Sequence, residues 1–317
     1  MEIKVASFNV KGLSVNNETA IKKRDIKAMA DCIREYDIVA LQEMRFPKFR
    51  TKSYIASPRE MPLLFELGSY WRGKMVYYES DRNDETYEID PRHEGFAFLW
   101  NTRKVDLAED ESDDSLTHNY KPGVDGITLK RDPAYARFKL KRRPVEIRVI
   151  NVHIISKEPS ENSIRTPVNF GDLNEMRNRE FDIIAGQIYK QINDAKLHKG
   201  NAHAYTIIIG DYNLNLEGHG VDKECLPQIR YYNRHGEREY GSVNVIKTVQ
   251  EERTTIKKEG DGYTNNFDHC SYNVDKTEHV ISQYGRSTCL NDKTPEEIKQ
   301  FRDTVSDHVP IFVTIIC

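Results

Sequence analysis

The chain has 317 residues, of which 38% are hydrophobic and 31% are charged, and its formal net charge at pH 7 is −3. This composition is ordinary for a globular protein with a sizeable core. The slightly negative net charge argues against a protein that binds nucleic acid through its overall charge. A polyanion would have to be bound by a local basic patch or by bound metal.

Five cysteines are widely spaced and form neither a C-x-x-C motif nor the Cys/His spacing of a zinc site. The opening residues 1–4 are charged and strand-like, which does not match a signal peptide. No apolar run approaches the roughly 20 residues that cross a bilayer. These features predict a cytoplasmic protein without structural disulfides and without membrane insertion.

The first third of the chain contains a strand, helix, strand pattern. Residues 3–10 are rich in apolar and β-branched side chains and deliver Asn9 to the end of a strand, just before a Lys-Gly turn signal. From about Thr19 the apolar spacing becomes i, i+3, i+4, i+7, which is typical of an amphipathic helix. Residues 38–41 then predict a buried strand that ends close to Glu43.

Further elements follow along the chain. Residues 96–100, 145–152, 205–209 and 309–316 are predicted strands, and the clearest helical stripe extends from Phe181 to Ile192. Two polar stretches, residues 106–114 with six acids and residues 216–262, are predicted to be exposed loops. Because no repeat and no Pro/Gly/Ser-rich linker divides the chain, we expect residues 1–317 to form a single domain.

Polar residues stand at or just beyond the ends of these apolar strands. They are Asn9, Glu43, His153, Asp211 with Asn213, and Asp307 with His308. Strand ends of this kind converge on one edge of a sheet, where sites form. Carboxylate and amide oxygens suit hard cations rather than zinc, and histidines with acids can supply the acid and base for phosphodiester hydrolysis. Taken singly, each residue also fits a structural role, such as a turn cap for Asn9 or a hydrogen-bonded core histidine for His153.

Seven short motifs resemble, in the same order, those of the endonuclease/exonuclease/phosphatase superfamily, which includes deoxyribonuclease I. They are Ser7-Phe8-Asn9-Val10, Leu41-Gln42-Glu43, Glu94-Gly95-Phe96-Ala97, Ile150-Asn151-Val152-His153, Gly210-Asp211-Tyr212-Asn213, Asn266-Phe267-Asp268-His269 and Ser306-Asp307-His308-Val309-Pro310. The resemblance covers essentially the whole chain. It implies a four-layer α/β sandwich, in which two mixed β-sheets pack face to face and helices cover the outside.

The resemblance also implies a metal site. Asn9, Glu43 and Asp307, with Asp211, are the implied ligands and neighbours of a divalent cation, which would be Mg²⁺ or Mn²⁺, with Ca²⁺ as an alternative. Asp211 and Asn213 are the implied pair that orients the attacking water and the scissile phosphate.

Two histidines resemble the catalytic pair of the family. By motif position Glu94 would hold His153, and Asp268 would hold His308. A carboxylate that accepts one ring N–H fixes the tautomer and raises the basicity of the imidazole. In the deoxyribonuclease pattern His308 takes a proton from water and His153 protonates the leaving oxygen. The reverse allocation stays open, as does a base role for Asp211 like that in related abasic-site repair enzymes.

The choice of substrate rests on basic residues. The segment from Arg131 to Ala134 resembles the Arg-x-Pro segment of deoxyribonuclease I, which implies that Arg131 clamps a phosphate, although a solvated loop arginine is the alternative. One basic strip consists of Arg45, Lys48, Arg50 and Lys52, and another consists of Lys139, Lys141, Arg142 and Arg143. Either strip beside the site could follow a nucleic-acid backbone, and either is equally typical of a solvated face.

The leading hypothesis is therefore a monomeric, intracellular DNA nuclease that serves repair, turnover or defence. A phosphatase or phosphodiesterase of a small phosphorylated molecule or lipid headgroup is the second hypothesis, and a binding protein on the same scaffold is the third. Cleavage of plasmid DNA distinguishes the first from the second, since both would use the same site residues.

Overall fold

The computed structural model describes residues 1–15, 23–45, 53–77, 94–108, 117–119, 129, 131–154, 173–189, 192, 203–215, 228–231, 244–250 and 252–317. In chain order its elements are β1 (Glu2–Ser14), α1 (Ile26–Ile33), β2 (Ile38–Arg45), β3 (Ser53–Ala56), α2 (Pro62–Leu67), β4 (Trp71–Tyr77), β5 (Glu94–Asn101), β6 (Val105–Leu107), β7 (Thr117–Asn119), β8 (Ala134–Leu140), β9 (Val145–His153), α3 (Leu173–Ile183), a π-helical turn (Ile184–Ile188), β10 (His203–Asp211), β11 (Gln228–Tyr231), β12 (Asn244–Val249), β13 (Asp268–Asn273), α4 (Val274–Thr277), a 3₁₀ turn (Glu278–Val280), β14 (Ile281–Arg286), α5 (Pro295–Thr304) and β15 (Ile311–Ile316).

These strands form two mixed sheets. The first has the order β14-β15-β1-β2-β5-β4-β3, and the second has the order β11-β12-β13-β10-β9-β8-β6, with β7 also paired to β8. In the first sheet β1 and β2 are parallel, and in the second β9 and β10 are parallel. A helix lies between the two strands of each parallel pair in sequence, α1 in one case and α3 in the other. The centre of each sheet is therefore a strand, helix, strand unit.

Three apolar clusters separate the layers. The cluster between the sheets contains inward side chains of both, among them Phe98 of β5 and Phe138 of β8. Met29 of α1 and Phe301 of α5 pack on the outer face of the first sheet, and Phe181 of α3 packs on the outer face of the second. The order helix, sheet, sheet, helix confirms the predicted four-layer α/β sandwich.

The central strands are buried on both faces, which explains their continuous apolar sequence. Along β1, Ile3 and Val5 face the space between the sheets, whereas Ala6 and Phe8 face the helices. Successive side chains of a strand point to opposite faces, so each face of β1 meets an apolar layer.

Two predictions of secondary structure were wrong. The first strand does not end at residue 10 but continues to Ser14, because the Lys-Gly signal forms an irregularity between Asn9 and Leu13 instead of a turn. The stretch 216–262 is not entirely loop, because β11 and β12 lie within it and pair with the second sheet. Of the acidic stretch, Asp106 lies in β6, and residues 109–114 lie outside the described residues.

The cysteines that the structure describes, Cys32, Cys270, Cys289 and Cys317, are free thiols. Within the described ranges, no helix combines the length and the apolar character needed to cross a membrane.

Gly210 allows β9 and β10 to approach closely just before both strands end. Its φ is 156°, and a Cβ added there would lie 2.0 Å from the carbonyl oxygen of Val152. Because the obstructing atom belongs to the backbone, we expect Gly210→Ala to destabilise the fold at or above the upper end of about 1–3 kcal/mol, measured by urea unfolding. Gly285→Ala is the matched control, since its Cβ would meet no atom closer than 3.5 Å. Equal midpoints for the two variants would contradict this account.

Candidate active site

The two parallel strand pairs end at one edge of the sandwich. Asn9 and Glu43 lie towards the ends of β1 and β2, whereas His153 and Asp211 are the last residues of β9 and β10 and are aligned with each other. The carboxyl ends of parallel strands are where open α/β sheets place their ligands. Four of the predicted site residues thus share one edge.

Antiparallel neighbours bring the remaining residues to the same edge. Asp268 begins β13 opposite Asp211, and Glu94 begins β5 opposite Arg45. His308 stands three residues before β15, which runs antiparallel to β1. A strand that starts at this edge serves the site as well as one that ends there.

The Asn9 amide joins the two sheets at the centre of the site. Its Nδ2 donates to Glu43 Oε1 at 2.9 Å and to Asp211 Oδ2 at 3.0 Å. His153 Nε2 lies 3.7 Å from the same oxygen of Glu43 and 3.8 Å from the same oxygen of Asp211. Ligand atoms of Glu43, Glu94 and His153 lie within 4.8 Å of one another, so Glu94 is close to His153.

His308 and Asp268 form a buried pair. The Nδ1 atom of His308 lies 2.8 Å from Asp268 Oδ2, and its Nε2 lies 3.8 Å from Asp211 Oδ2. The backbone N–H of His308 donates to Ser306 Oγ, which donates to the carbonyl of Asn9 at 2.6 Å. This chain of bonds fixes both the position and the orientation of the His308 ring, with the carboxylate on Nδ1 and Nε2 towards the centre.

The two histidines have opposite charge preferences. Burial disfavours the charged form of His308, but the carboxylates of Asp268, Asp211 and Asp307 outweigh burial and raise its pKa to about 10. Burial lowers the pKa of His153 well below its ordinary value, and the positive charges of Arg131 and His308 lower it further. At neutral pH His308 is therefore protonated and His153 is neutral.

Asp211 lies between these two rings. Burial raises the pKa of its carboxyl group, and the charge of Asp268 adds to this effect, whereas His308 opposes it. Its Oδ1 accepts the backbone N–H of Asn213 at 2.9 Å, and the side chain of Asn213 donates to the carbonyl of Ile154 at 2.9 Å. The Asp211 carboxylate is thus fixed in direction, with Oδ2 towards the two histidines.

Three non-glycine residues near the centre have left-handed backbone conformations. Lys11 has a φ of 48°, Glu43 of 56° and Asn213 of 51°. Such conformations cost about 1–3 kcal/mol each and persist where the surrounding structure fixes them, often at functional sites. At these three positions the strained backbone conformation sets where the side chain points, as is common in functional sites.

Arg131 and Asp307 lie at the rim. The guanidinium of Arg131 is 3.6 Å from Glu94 Oε2 and 3.5 Å from the carbonyl of Ile154, and its side chain is 20% exposed. Asp307 accepts from the ammonium of Lys11 at 2.7 Å. It belongs neither to the group of clustered ligand atoms of Glu43, Glu94 and His153 nor to the second such group, formed by Asp211, Asp268 and His308. Burial works against ionisation of Asp307, but the charges of His308 and Lys11 prevail and lower its pKa.

The proposed basic strips separate in the structure. Lys141, Arg142 and Arg143 lie on the turn before β9, whereas His153 ends this nine-residue strand. At about 3.3 Å per residue the strip is about 26 Å from the site, so its placement beside the site was wrong. Arg45 does lie at the site edge, and residues 48, 50 and 52 lie outside the described residues.

The sequence interpretation missed several residues that support the site. Gln42, Asn151 and Ser306 lie within the quoted motifs and hydrogen-bond across the site, but a linear motif gives no contact partner. Lys11 was assigned only to a turn, although its position two residues after Asn9 was a usable signal.

The residues present fit a hard divalent cation. Glu43 and Asp211 direct one carboxylate oxygen each to the same point. The group at that point is the amide nitrogen of Asn9, which carries only a partial positive charge. Convergent oxygen ligands of this kind suit Mg²⁺, Mn²⁺ or Ca²⁺.

Comparisons with known proteins support the fold. No protein-family model and no curated protein matches the sequence. Solved structures do match over nearly the full length. An endonuclease/exonuclease/phosphatase family protein of Bacteroides thetaiotaomicron has 14% identity and a TM-score of 0.52, with 99% of this chain and 95% of that chain covered. A family protein of Bacteroides vulgatus has 14% identity and a TM-score of 0.51, with 100% and 99% covered.

A third structure, a functionally unknown conserved protein of Enterococcus faecalis V583, has 15% identity and a TM-score of 0.51, with 98% of both chains covered. At these identities the likeness establishes the fold. The predicted resemblance to deoxyribonuclease I-like proteins is confirmed at that level, and the chemistry rests on the geometry of the site.

The opposite charge preferences can be measured directly. In metal-free protein, imidazole nitrogen NMR shifts should show His308 still charged at pH 8 and His153 neutral at pH 6. Asp268→Asn should bring the His308 titration down, because it removes the nearest carboxylate. A wild-type His308 that titrates near its ordinary pKa would contradict the assignment.

The same shift has a consequence for stability. A group whose pKa is raised by folding stabilises the protein fully below its unfolded pKa, and this contribution is lost as the pH rises through the folded value. The free energy of unfolding should therefore fall between pH 6.5 and about 10, and fall less in Asp268→Asn. Urea unfolding in the presence of a chelator measures both.

Proposed function

We propose that the chain is a divalent-metal-dependent phosphodiesterase and that its substrate is DNA. The observation that carries the proposal is the convergence of Asn9, His153 and His308 on Asp211 Oδ2, at 3.0, 3.8 and 3.8 Å. The two histidines, with opposite charge preferences, are held at one carboxylate beside a set of hard oxygen ligands. Hydrolysis of a phosphodiester requires a proton acceptor, a proton donor and ligands for a cation, and these residues can supply all three.

Glu43, Asp211 and Asp307 would hold the cation through carboxylate oxygens, and Asn9 would join them through Oδ1, which here accepts the N–H of Lys11. When bound, the cation neutralises charge on the phosphate oxygens. These residues also position one another, since the Asn9 amide bridges Glu43 and Asp211.

The protons move through the histidines. Neutral His153 can accept a proton from the attacking water, and protonated His308 can donate one to the leaving oxygen through Nε2, because Asp268 holds its Nδ1. In the metal-free protein these charge states match the reverse of the deoxyribonuclease allocation. Asp211 would orient the water between the two rings.

Two arginines favour a phosphate backbone as ligand. Arg131 lies at the rim beside Glu94, and Arg45 is exposed at the end of β2. A guanidinium offers a fork that matches phosphate oxygens. With the 141–143 strip at the far end, few basic contacts are available near the described site, so we expect a modest salt dependence of binding.

The first test is plasmid cleavage. Purified protein with supercoiled plasmid should produce nicked product in Mg²⁺ or Mn²⁺ and none in EDTA. His308→Ala should reduce the rate by about 10²–10⁴-fold, the usual contribution of a general acid or base. His279→Ala is the matched control, because the exposed His279 packs on Tyr205 near the start of β10, away from the site.

Intact plasmid under every metal condition would reject DNA as substrate. A parallel assay with small phosphomonoesters and phosphodiesters would then separate a small-molecule phosphoesterase from a protein without turnover. Loss of activity in both histidine variants would indicate a folding defect, which circular dichroism detects.

Arg131 has a separate test. Arg131→Ala should raise KM for DNA by about tenfold with a smaller effect on kcat, as expected for loss of one charged phosphate contact. Arg103→Ala is the control, since the Arg103 guanidinium stacks 3.7 Å above the Tyr70 ring at the opposite end of β5. An unchanged KM in Arg131→Ala would remove Arg131 from the phosphate site.

A further inference from the structure

Lys11 is held more firmly than an ordinary surface lysine. Its N–H donates to Asn9 Oδ1 at 3.0 Å, and its carbonyl accepts from the Arg24 guanidinium. Gly12 follows with a φ of 72°, and a Cβ there would lie 2.8 Å from Arg45 Nε, so the guanidinium of Arg45 packs against this backbone. The irregular part of β1 is therefore fixed, and with it the point from which the Lys11 side chain extends.

The fixed backbone directs the ammonium of Lys11 onto Asp307 at 2.7 Å. Asp307 immediately precedes His308, whose Nε2 lies 3.8 Å from Asp211 Oδ2. The ammonium thus stands at the rim of the reaction centre, on a carboxylate that also suits a hard cation.

This ion pair is easily exchanged. The side chains of Lys11 and Asp307 are 29% and 25% exposed, whereas that of Asp211 is 3% exposed. Ion pairs that reach solvent contribute little to stability, since water and other ions replace either partner at low cost. A divalent cation competes for the same oxygens and carries twice the charge of the ammonium.

We propose that Lys11 is a phosphate-binding residue whose ammonium rests on Asp307 in the metal-free protein and contacts a phosphate oxygen of the substrate once a divalent cation occupies that carboxylate. The ligand class is an oxyanion of a phosphate ester. An ammonium suits it, because it is a compact charge with three donors on a flexible stem. The inference rests on the metal dependence of the proposed function.

The test measures binding without turnover. Lys11→Met removes the charge and keeps much of the length, and Lys11→Arg keeps the charge. Lys104→Met is the control for loss of a paired lysine charge elsewhere, because Lys104 Nζ lies 2.9 Å from Asp37 Oδ2, just before the start of β2 and so away from the site. Mn²⁺ affinity is measured by electron paramagnetic resonance of the free ion, and inorganic phosphate affinity by calorimetry in saturating Mn²⁺.

We expect Lys11→Met to bind Mn²⁺ about threefold to fivefold more tightly, since the competing cation is gone. Phosphate should bind about tenfold more weakly to Lys11→Met, as for the loss of one charged hydrogen bond. Lys11→Arg and Lys104→Met should stay close to the wild type in both measurements.

Three results would overturn the inference: no Mn²⁺ binding by the wild type, Mn²⁺ affinity unchanged or weakened in Lys11→Met, or phosphate affinity unchanged in that variant. If Lys11→Met does not fold, Lys11→Gln also removes the charge and takes its place, and the same three results decide the inference. Failure of DNA cleavage with these binding changes present would reject the proposed substrate and leave the role of Lys11 intact.

Discussion

The hydrogen bond from Gln42 Nε2 to Asn151 Oδ1, 2.6 Å long, connects the two sheets beneath the site. Both side chains are fully buried. Gln42 also donates to Ser7 Oγ within the first sheet, and Asn151 donates to the carbonyl of Leu41 across the sheets. A buried amide without a partner costs about 1–3 kcal/mol. Sliding one sheet over the other would break several of these bonds together, so the amide pair fixes the relative position of the sheets.

That constraint matters because the site is divided between the sheets. Glu43 and Asn9 belong to the first sheet, and Asp211 and His153 belong to the second. The Asn9 amide donates to one carboxylate of each sheet, to Glu43 at 2.9 Å and to Asp211 at 3.0 Å. A displacement of about 1 Å would end this arrangement, and misplacement on that scale is enough to reduce catalysis strongly. The buried amide pair therefore also positions the residues of the site.

The sequence correctly predicted which residues lie at the ends of strands. It did not predict at which end of a sheet a residue lies, or which strand or side chain it pairs with. Asn9, Glu43, His153 and Asp211 could be placed together, because apolar strands that finish on polar residues share an edge. The basic residues at 141–143 were misplaced, since their position in the sequence before a strand says nothing about which end of the sheet holds the site. β11 and β12 were missed because their mixed polar and apolar residues resemble those of a loop; β11 pairs on one side and ends the sheet.

The charge states of the histidines were also beyond the sequence. His153 and His308 are the same residue type, both buried, and both 3.8 Å from one oxygen of Asp211. They differ in their other neighbours: Asp268 stabilises an imidazolium on His308, whereas Arg131 destabilises one on His153.

The charge on His308 also lowers the pKa of His153, so the pair favours one shared positive charge over two. Acid and base catalysis of one hydrolysis step needs one protonated and one neutral group. The environments of the two rings create that asymmetry from identical side chains, and they do so before substrate arrives.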